Sequence, residues 1–355
     1  MNDTTIKYRV NLKVLSAISI GYGREYLKFE YIKDGNKITF IDEKKLFDKL
    51  CQYKLQDEYL DFIEKSSRQE RNSDSSLYKF LKDRAYRRFD VDSLIEEVKL
   101  YSIQCNYDKL ANVKCFIKDK VTNKCYIPGS TIKGMLRTAL DQSEKLQKYS
   151  NDIMREISVS DSSLISNDNL QILDTYYYNI SKGIEKSKPL NQYNEFLKKD
   201  TECSFDITVD KKIIVFDNDE NKKKSCSGDV IINNLFLLIR RYFEQYKNYY
   251  LQYYENEANG KLKVLNQKES AYICFIGQKC GFPNKTIYYQ KYKLDAGEKI
   301  SKKLKVNSRN GKTVADNYDK KFRLSPVCLK IVDQDNKWYP CGAVELTYKK
   351  VEDER

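Results

Sequence analysis

Residues 126–137 read Tyr126-Ile127-Pro128-Gly129-Ser130-Thr131-Ile132-Lys133-Gly134-Met135-Leu136-Arg137. A strand-like run ends at Pro128-Gly129, where the chain turns, and Ser130 or Thr131 offers a hydroxyl to cap a new helix over about 131–148. Free amides and the positive dipole end at such a helix start form an anion site. Lys133 and Arg137 stand four apart, so they share a face and add charge to the same path. Gly134 admits close approach of a backbone. An ordinary capped helix with solvated Lys and Arg fits the same residues, and both readings stay open on the stretch alone. The pattern G-x-x-x-x-G-K-[ST] is absent, so a Walker loop is excluded.

Outward from this turn, strands alternate with helices. Residues 6–20 and 203–210 show the period-two alternation of half-buried strands. Asp34-Gly35 reads as a hairpin turn within 29–41. Residues 43–100 change to helical spacing, with Leu46, Phe47, Leu50, then Leu60 and Ile63, a polar stretch from Ser66 to Ser76, and Leu77, Leu81 and Ala85. This is a helical insertion with a basic side at Arg84, Arg87 and Arg88. Strand-like segments at 113–118, 124–127, 157–161 and 170–178 follow. The polar segment from Lys182 to Asp200, with Pro189, marks a boundary near 190. Beyond it, residues 217–227 read as a loop, and Ser227-Gly228-Asp229 offers caps to a long amphipathic helix ended by Gly260. Strands follow at 271–276, 324–332 and 343–349. The expected fold is α+β: two ferredoxin-like units, 1–190 with its insertion and 191–355 with a basic glycine-containing loop.

Charge and composition narrow the function. The formal net charge is +13, and the window from Lys261 to Arg323 holds 16 Lys+Arg against 5 Asp+Glu. Tyr272, Tyr288, Tyr289, Tyr292 and Tyr318 interleave with that basic stripe, a composition suited to phosphates and bases together. A lysine-rich solvated face is the competing reading. With no histidine in the chain, imidazole zinc sites and the usual general base near neutral pH are both excluded. None of the ten cysteines forms C-x-x-C, so free thiols in a reducing cytoplasm are expected, with no metal and no cofactor. No apolar run is long enough for a membrane span, and the first residues carry no secretory pattern.

The 126–137 stretch resembles the I-P-G-S-S-x-K-G-x-x-R signature of the RAMP superfamily, RNA-binding proteins of CRISPR effector complexes. Thr131 replaces the second serine and keeps its hydroxyl. Three further segments agree in order. Leu15 to Gly23, with Ile20-Gly21-Tyr22-Gly23 followed by Arg24, is similar to the first strand and its I-G-x-G loop. Ile157-Ser158-Val159-Ser160-Asp161-Ser162 resembles the I-x-x-S-D-S strand. Ile276-Gly277-Gln278-Lys279-Cys280-Gly281-Phe282, ending in Lys285-Thr286, is similar to the late glycine loop, where many relatives carry a further glycine in place of Lys279 or Cys280. Within the superfamily, the length, the insertion and the Lys-Thr look most like the end-capping fifth subunit of type III-A (Csm) complexes.

That resemblance implies a non-catalytic protein that binds single-stranded guide RNA (crRNA), caps the guide 3′ side and contributes to 3′-end maturation. It implies RNA contacts at Gly21, Tyr22, Gly23, Arg24, Gly129, Ser130, Thr131, Lys133, Arg137, Gly277, Lys279, Gly281, Lys285 and Thr286. The implied partners are other Csm subunits, above all the backbone RAMP subunit, and host trimming nucleases. The target-cleaving subunit carries an I-D-[NS]-P segment, where this chain has Ile32-Lys33-Asp34-Gly35. A repeat-cleaving RAMP endoribonuclease, a different RAMP subunit and a scaffold that binds no RNA remain the alternatives.

Overall fold

Strand Thr5–Val14 turns Ile6, Tyr8, Val10, Leu12 and Val14 into the core and its other side chains outward, as the two-residue period requires. The computed structural model describes residues 4–67, 76–85, 88–107, 110, 112–182, 192–217, 222–303, 318–334 and 336–352. The first strand lies between Glu202–Asp210 and Ala343–Lys350. Ile157–Val159 and Tyr272–Phe275 close the two edges of a five-stranded sheet, antiparallel throughout. Helices Gly129–Asp141 and Gly228–Tyr246 complete a β-α-β-β-α-β order with the strands Thr5–Val14, Ile157–Val159, Glu202–Asp210 and Ala343–Lys350. The fold is α+β and ferredoxin-like. Strands from before and after residue 190 share this sheet.

Both helices bury one side on it. Ile132, Leu136, Ala139 and Leu140 recur at helical spacing, as do Ile231, Ile232, Leu235, Phe236, Ile239, Tyr242 and Phe243. All but Tyr242 and Phe243 join one core cluster with the inward strand residues. Each buried Leu or Ile there contributes about 1.5–3 kcal/mol. On the outer face Asp206 accepts from its cross-strand neighbour Arg9 and lies 2.7 Å from the Lys7 ammonium. Asp229 does not cap its helix: its carboxylate accepts from Tyr8 and from Lys350 at 3.0 Å, tying the helix start to the sheet. Ser227 is the N-cap residue, with no side-chain bond.

A second sheet of seven strands runs in the order Glu25–Tyr26, Val113–Lys114, Tyr193–Leu197, Leu170–Leu173, Lys99–Gln104, Lys37–Ile41 and Tyr31–Asp34. The hairpin expected at Asp34-Gly35 forms one residue on. Asp34 pairs with Lys37, and Gly35 and Asn36 make the two-residue turn, with Gly35 at φ +49°. The insertion folds as four helices, Glu43–Gln52, Gln56–Ser67, Leu77–Ala85 and Val91–Val98, around their own core of Leu46, Leu50, Tyr59, Leu77, Leu81 and Leu94. Leu60, expected inside, is 53% exposed; Tyr59 takes its place. Arg84 is paired with Glu58. Arg87 and the polar stretch at 68–75 lie outside the described residues, as do 183–191 of the expected boundary.

Three further sequence expectations change. Residues 222–227 are a strand, Lys222–Ser227, paired with Lys212–Asp217, and not loop. The run 170–178 is two strands in different sheets, Leu170–Leu173 and Tyr176–Asn179. Tyr193–Leu197, inside the segment read as polar, is a wholly buried strand. The buried Glu195 carboxylate explains it: Tyr101 donates to it at 2.6 Å, the Phe116 amide at 2.7 Å, and the Lys118 ammonium pairs with it. A buried charge so satisfied is tolerated where an unpaired one is not.

Candidate nucleic-acid interface

The two glycine loops cross where the main sheet ends. The Gln278 amide donates to the Ser19 carbonyl at 2.7 Å, and Ile117 donates to Ile20 at 2.8 Å. Gly277 adopts φ +86°, and a Cβ there would stand 2.6 Å from the Ser19 carbonyl oxygen. Only glycine fits a left-handed backbone pressed so close. Lys279 also adopts a left-handed φ, +68°, a conformation that favours glycine. Its ammonium donates to Gln192 at 2.7 Å. Burial first, then the nearby Lys330 and Lys114, push its pKa down.

The signature helix, Gly129–Asp141, begins beside that crossing. Neither Ser130 nor Thr131 caps it, contrary to the sequence reading. Pro128 is the N-cap residue, and the Gly129 amide donates to the Asp161 carboxylate at 2.7 Å. A Cβ on Gly129 would lie 2.3 Å from the Val159 carbonyl oxygen, so helix and strand touch there. With a carboxylate at its first amide, the helix start is already supplied with negative charge, which disfavours a phosphate at the same point. The pairing expected of Lys133 with Arg137 also changes. The half-buried Lys133 ammonium donates to the Ile157 carbonyl at 2.7 Å. Arg137 is exposed and makes no ion pair among the described residues.

What the helix offers instead is its next face. Ser130, Thr131, Gly134, Met135 and Thr138 line a groove of about 390 Å³ whose other wall is Ile20, Gly21, Phe275, Ile276, Gly277, Gln278, Asn284 and Lys285. Three segments far apart in sequence thus meet at one concave surface. Among the described residues its lining holds hydroxyls, amides, glycine backbone, one ammonium and the apolar Ile20, Met135, Phe275 and Ile276, with no carboxylate. Gly134 is exposed, and a Cβ there would meet nothing within 4 Å. No described residue requires a glycine there.

Residues 113–345 match the RAMP superfamily. The chain belongs to that superfamily. The RAMP chain is 27% identical to a protein of Enterococcus italicus described as CRISPR system Cms protein Csm5, over 97% of this chain and 98% of that protein. A Streptococcus thermophilus protein of the same description is 26% identical over 80% of each chain. In structure, this RAMP protein resembles a chain of a Csm–crRNA–target RNA ternary complex of a type III-A CRISPR-Cas system. The TM-score is 0.64 at 17% identity, covering 96% of this chain and 100% of that one. Csm5 of T. onnurineus gives a TM-score of 0.51 at 14% identity, over 94% and 99%. At such identities the structural likenesses concern the fold.

Other sequence-predicted residues of the RAMP chain lie beside the groove rather than in it. Tyr22 and Arg24, across the first loop, face a cleft of about 1070 Å³ with Lys44, Lys45, Lys118, Lys120 and Tyr126. Arg24 is held by Glu30 at 2.9 Å and sits over the Tyr26 ring. Gly23 adopts φ +95° in open space. Gly281 adopts φ +86°, and the Thr286 carbonyl accepts from Tyr242 at 2.7 Å. Sequence reading missed Thr138, Met135, Gln278 and Asn284 in the groove. The helical spacing of 130, 134 and 138 carried the signal for Thr138.

All ten cysteines are free thiols, seven of them buried. Among the described residues no group of three His, Cys, Asp or Glu could hold a metal, and no helix is long and apolar enough to cross a membrane. The expected tyrosine stripe divides: Tyr289 is fully buried, and Tyr272 packs against Phe236 and Tyr348. Part of the basic window, 304–317, lies outside the described residues.

Proposed function

We propose that this RAMP protein binds single-stranded guide RNA (crRNA) in the groove between the signature helix and the two glycine loops, as the non-catalytic end-capping subunit of a type III-A Csm complex. Its relatives named Csm5 are matched over nearly their full length in one case, which supports placement in such a complex. The observation that carries RNA binding is the convergence of Gly21, Ser130, Thr131, Gly134, Gly277 and Lys285 on one concave surface. Glycines let a phosphodiester backbone approach, and hydroxyls with an ammonium receive its oxygens. The lack of histidine in the chain and of any carboxylate among the described residues of the groove supports a binding rather than a cleaving role. On this reading, the backbone RAMP subunit adjoins the protein, and trimming nucleases act on the guide 3′ end that it caps.

The test is photocrosslinking of 4-thiouridine RNA to the purified protein, with peptide mapping. Crosslinks should fall within 130–138 and 277–285, and affinity should fall by roughly 0.7 log units per tenfold salt for each phosphate engaged. The RNA should stay intact with Mg²⁺ present. Crosslinks confined to other surfaces would refute the groove, and reproducible cleavage would refute the non-catalytic assignment.

A further inference from the structure

The groove ends at Lys285, and a row of aromatic rings begins beside it. Phe282 and Tyr288 have ring centroids 6.3 Å apart, and Tyr288 and Tyr292 are 5.5 Å apart. Their planes are tilted by 53° and 54°, so the rings do not stack face to face upon one another. All three are half-buried, with one side packed on the second hydrophobic core. The Lys303 ammonium lies 5.3 Å from the Tyr288 centroid, and those of Lys291 and Lys299 each lie 5.7 Å from that of Tyr292. Among the described residues none of these three lysines forms an ion pair, although Lys302, on the helix that carries Lys299 and Lys303, pairs with Glu298 at 2.5 Å.

The tyrosine-rich second half thus contains two populations. Tyr246, Tyr250, Tyr254 and Tyr289 are fully buried and belong to the core. Phe282, Tyr288 and Tyr292 are anchored at the surface with unpaired ammonium groups over the two tyrosines. Anchored rings cost little ordering entropy when a base stacks on them, and cations beside them neutralise the adjoining phosphates. An acidic protein segment would engage the lysines, but a nucleic acid sets an extended π face beside every phosphate, so the aromatic row with its lysines favours a nucleic acid.

We infer that Phe282, Tyr288 and Tyr292, with Lys291, Lys299 and Lys303, form a base-stacking platform for single-stranded RNA continuing past Lys285, an inference that rests on the RNA-binding reading of the groove. The platform lengthens the RNA footprint beyond the groove and recognises any base, because every base has a π face.

The experiment compares oligouridylates of roughly 4 and roughly 12 nucleotides, lengths within the span of known single-strand site sizes, on the full chain. Tyr288→Leu with Tyr292→Leu keeps apolar packing and removes the rings. It should weaken the longer RNA about tenfold and leave the shorter unchanged. Tyr288→Phe with Tyr292→Phe should bind like the parent, and Lys299→Gln with Lys303→Gln should weaken only the longer RNA. Gly134→Gln, which obstructs the groove, should weaken both lengths. Unchanged long-RNA affinity in both the leucine and glutamine pairs, with Gly134→Gln still weakening binding, overturns the platform and leaves the groove standing. The converse pattern leaves the platform and overturns the groove. Should the leucine pair misfold, the glutamine pair decides, because it touches no packed ring: unchanged long-RNA affinity there, with Gly134→Gln still weakening binding, overturns the platform.

Discussion

The Gly129 amide donates to the Asp161 carboxylate at 2.7 Å, so the signature helix is capped by a residue 32 positions downstream. The bond fixes the angle at which the helix leaves the strand, and hence the position of the groove-lining face. Asp161→Ala should cost about 0.5–2 kcal/mol of stability, as loss of a capping side chain usually does. Asp161→Asn should cost less, because an amide oxygen still accepts. Urea unfolding measures both, and equal stability of Asp161→Ala and the parent would deny the cap its role.

Lys133 and Arg137, one turn apart, should respond differently to truncation. Lys133→Ala removes a charge-assisted bond to the Ile157 carbonyl and should destabilise by about 1.5–3 kcal/mol. Arg137→Ala, at an exposed position, should stay within about 0.5 kcal/mol. Thermal melts of the two single variants check this. Equal melting temperatures would contradict the placement of Lys133 as a strut between helix and strand.

Much of the frame was legible in the sequence because it follows from local periodicity. Alternation in Thr5–Val14 and Glu202–Asp210 announces strands, and the apolar spacing from Ile231 to Tyr246 announces a helix. Tyr193–Leu197 was illegible because Asn194 and Glu195 look like solvent-facing residues until Tyr101, Phe116 and Lys118, 77 to 94 positions upstream, are brought to Glu195. The same limit applies to the site. Motif residues could be named one by one. That 130, 134 and 138 share a wall with Gly21 and Lys285, while Lys133 turns away, depends on contacts across the whole chain.

Glu195 and Lys118 form an ion pair whose side chains are 0% and 7% exposed. Glu195→Ala would leave a buried ammonium unpaired, a change costing about 3–5 kcal/mol. Replacing both, as Glu195→Gln with Lys118→Met, should recover most of that loss. Chemical denaturation of the single and double variants tests the coupling, and additive losses would show that the pair does not act as a unit.

Burial raises the pKa of Tyr246, Tyr250 and Tyr254 well above the ordinary phenolic value, and raises those of Tyr242 and Tyr289 as well. A raised folded-state pKa gives stability that is complete below the unfolded value near 10 and declines as pH rises towards the folded value. Spectrophotometric titration should therefore find a subset of the 29 tyrosines that ionises only as circular dichroism reports unfolding. Full ionisation near pH 10 with the fold intact would contradict the buried tyrosine core.

Gly134→Gln tests the central claim most directly, because it sets stability against binding at one atom. A Cβ at Gly134 meets nothing within 4 Å, and glycine inside a helix costs about 0.5–1 kcal/mol relative to alanine. The glutamine variant should therefore be at least as stable as the parent in urea. Gly134 lines the groove, so the added side chain should take up part of it, and affinity for single-stranded RNA should fall at least tenfold. A variant of equal or greater stability that binds RNA as tightly as the parent would contradict the groove as the guide-binding surface.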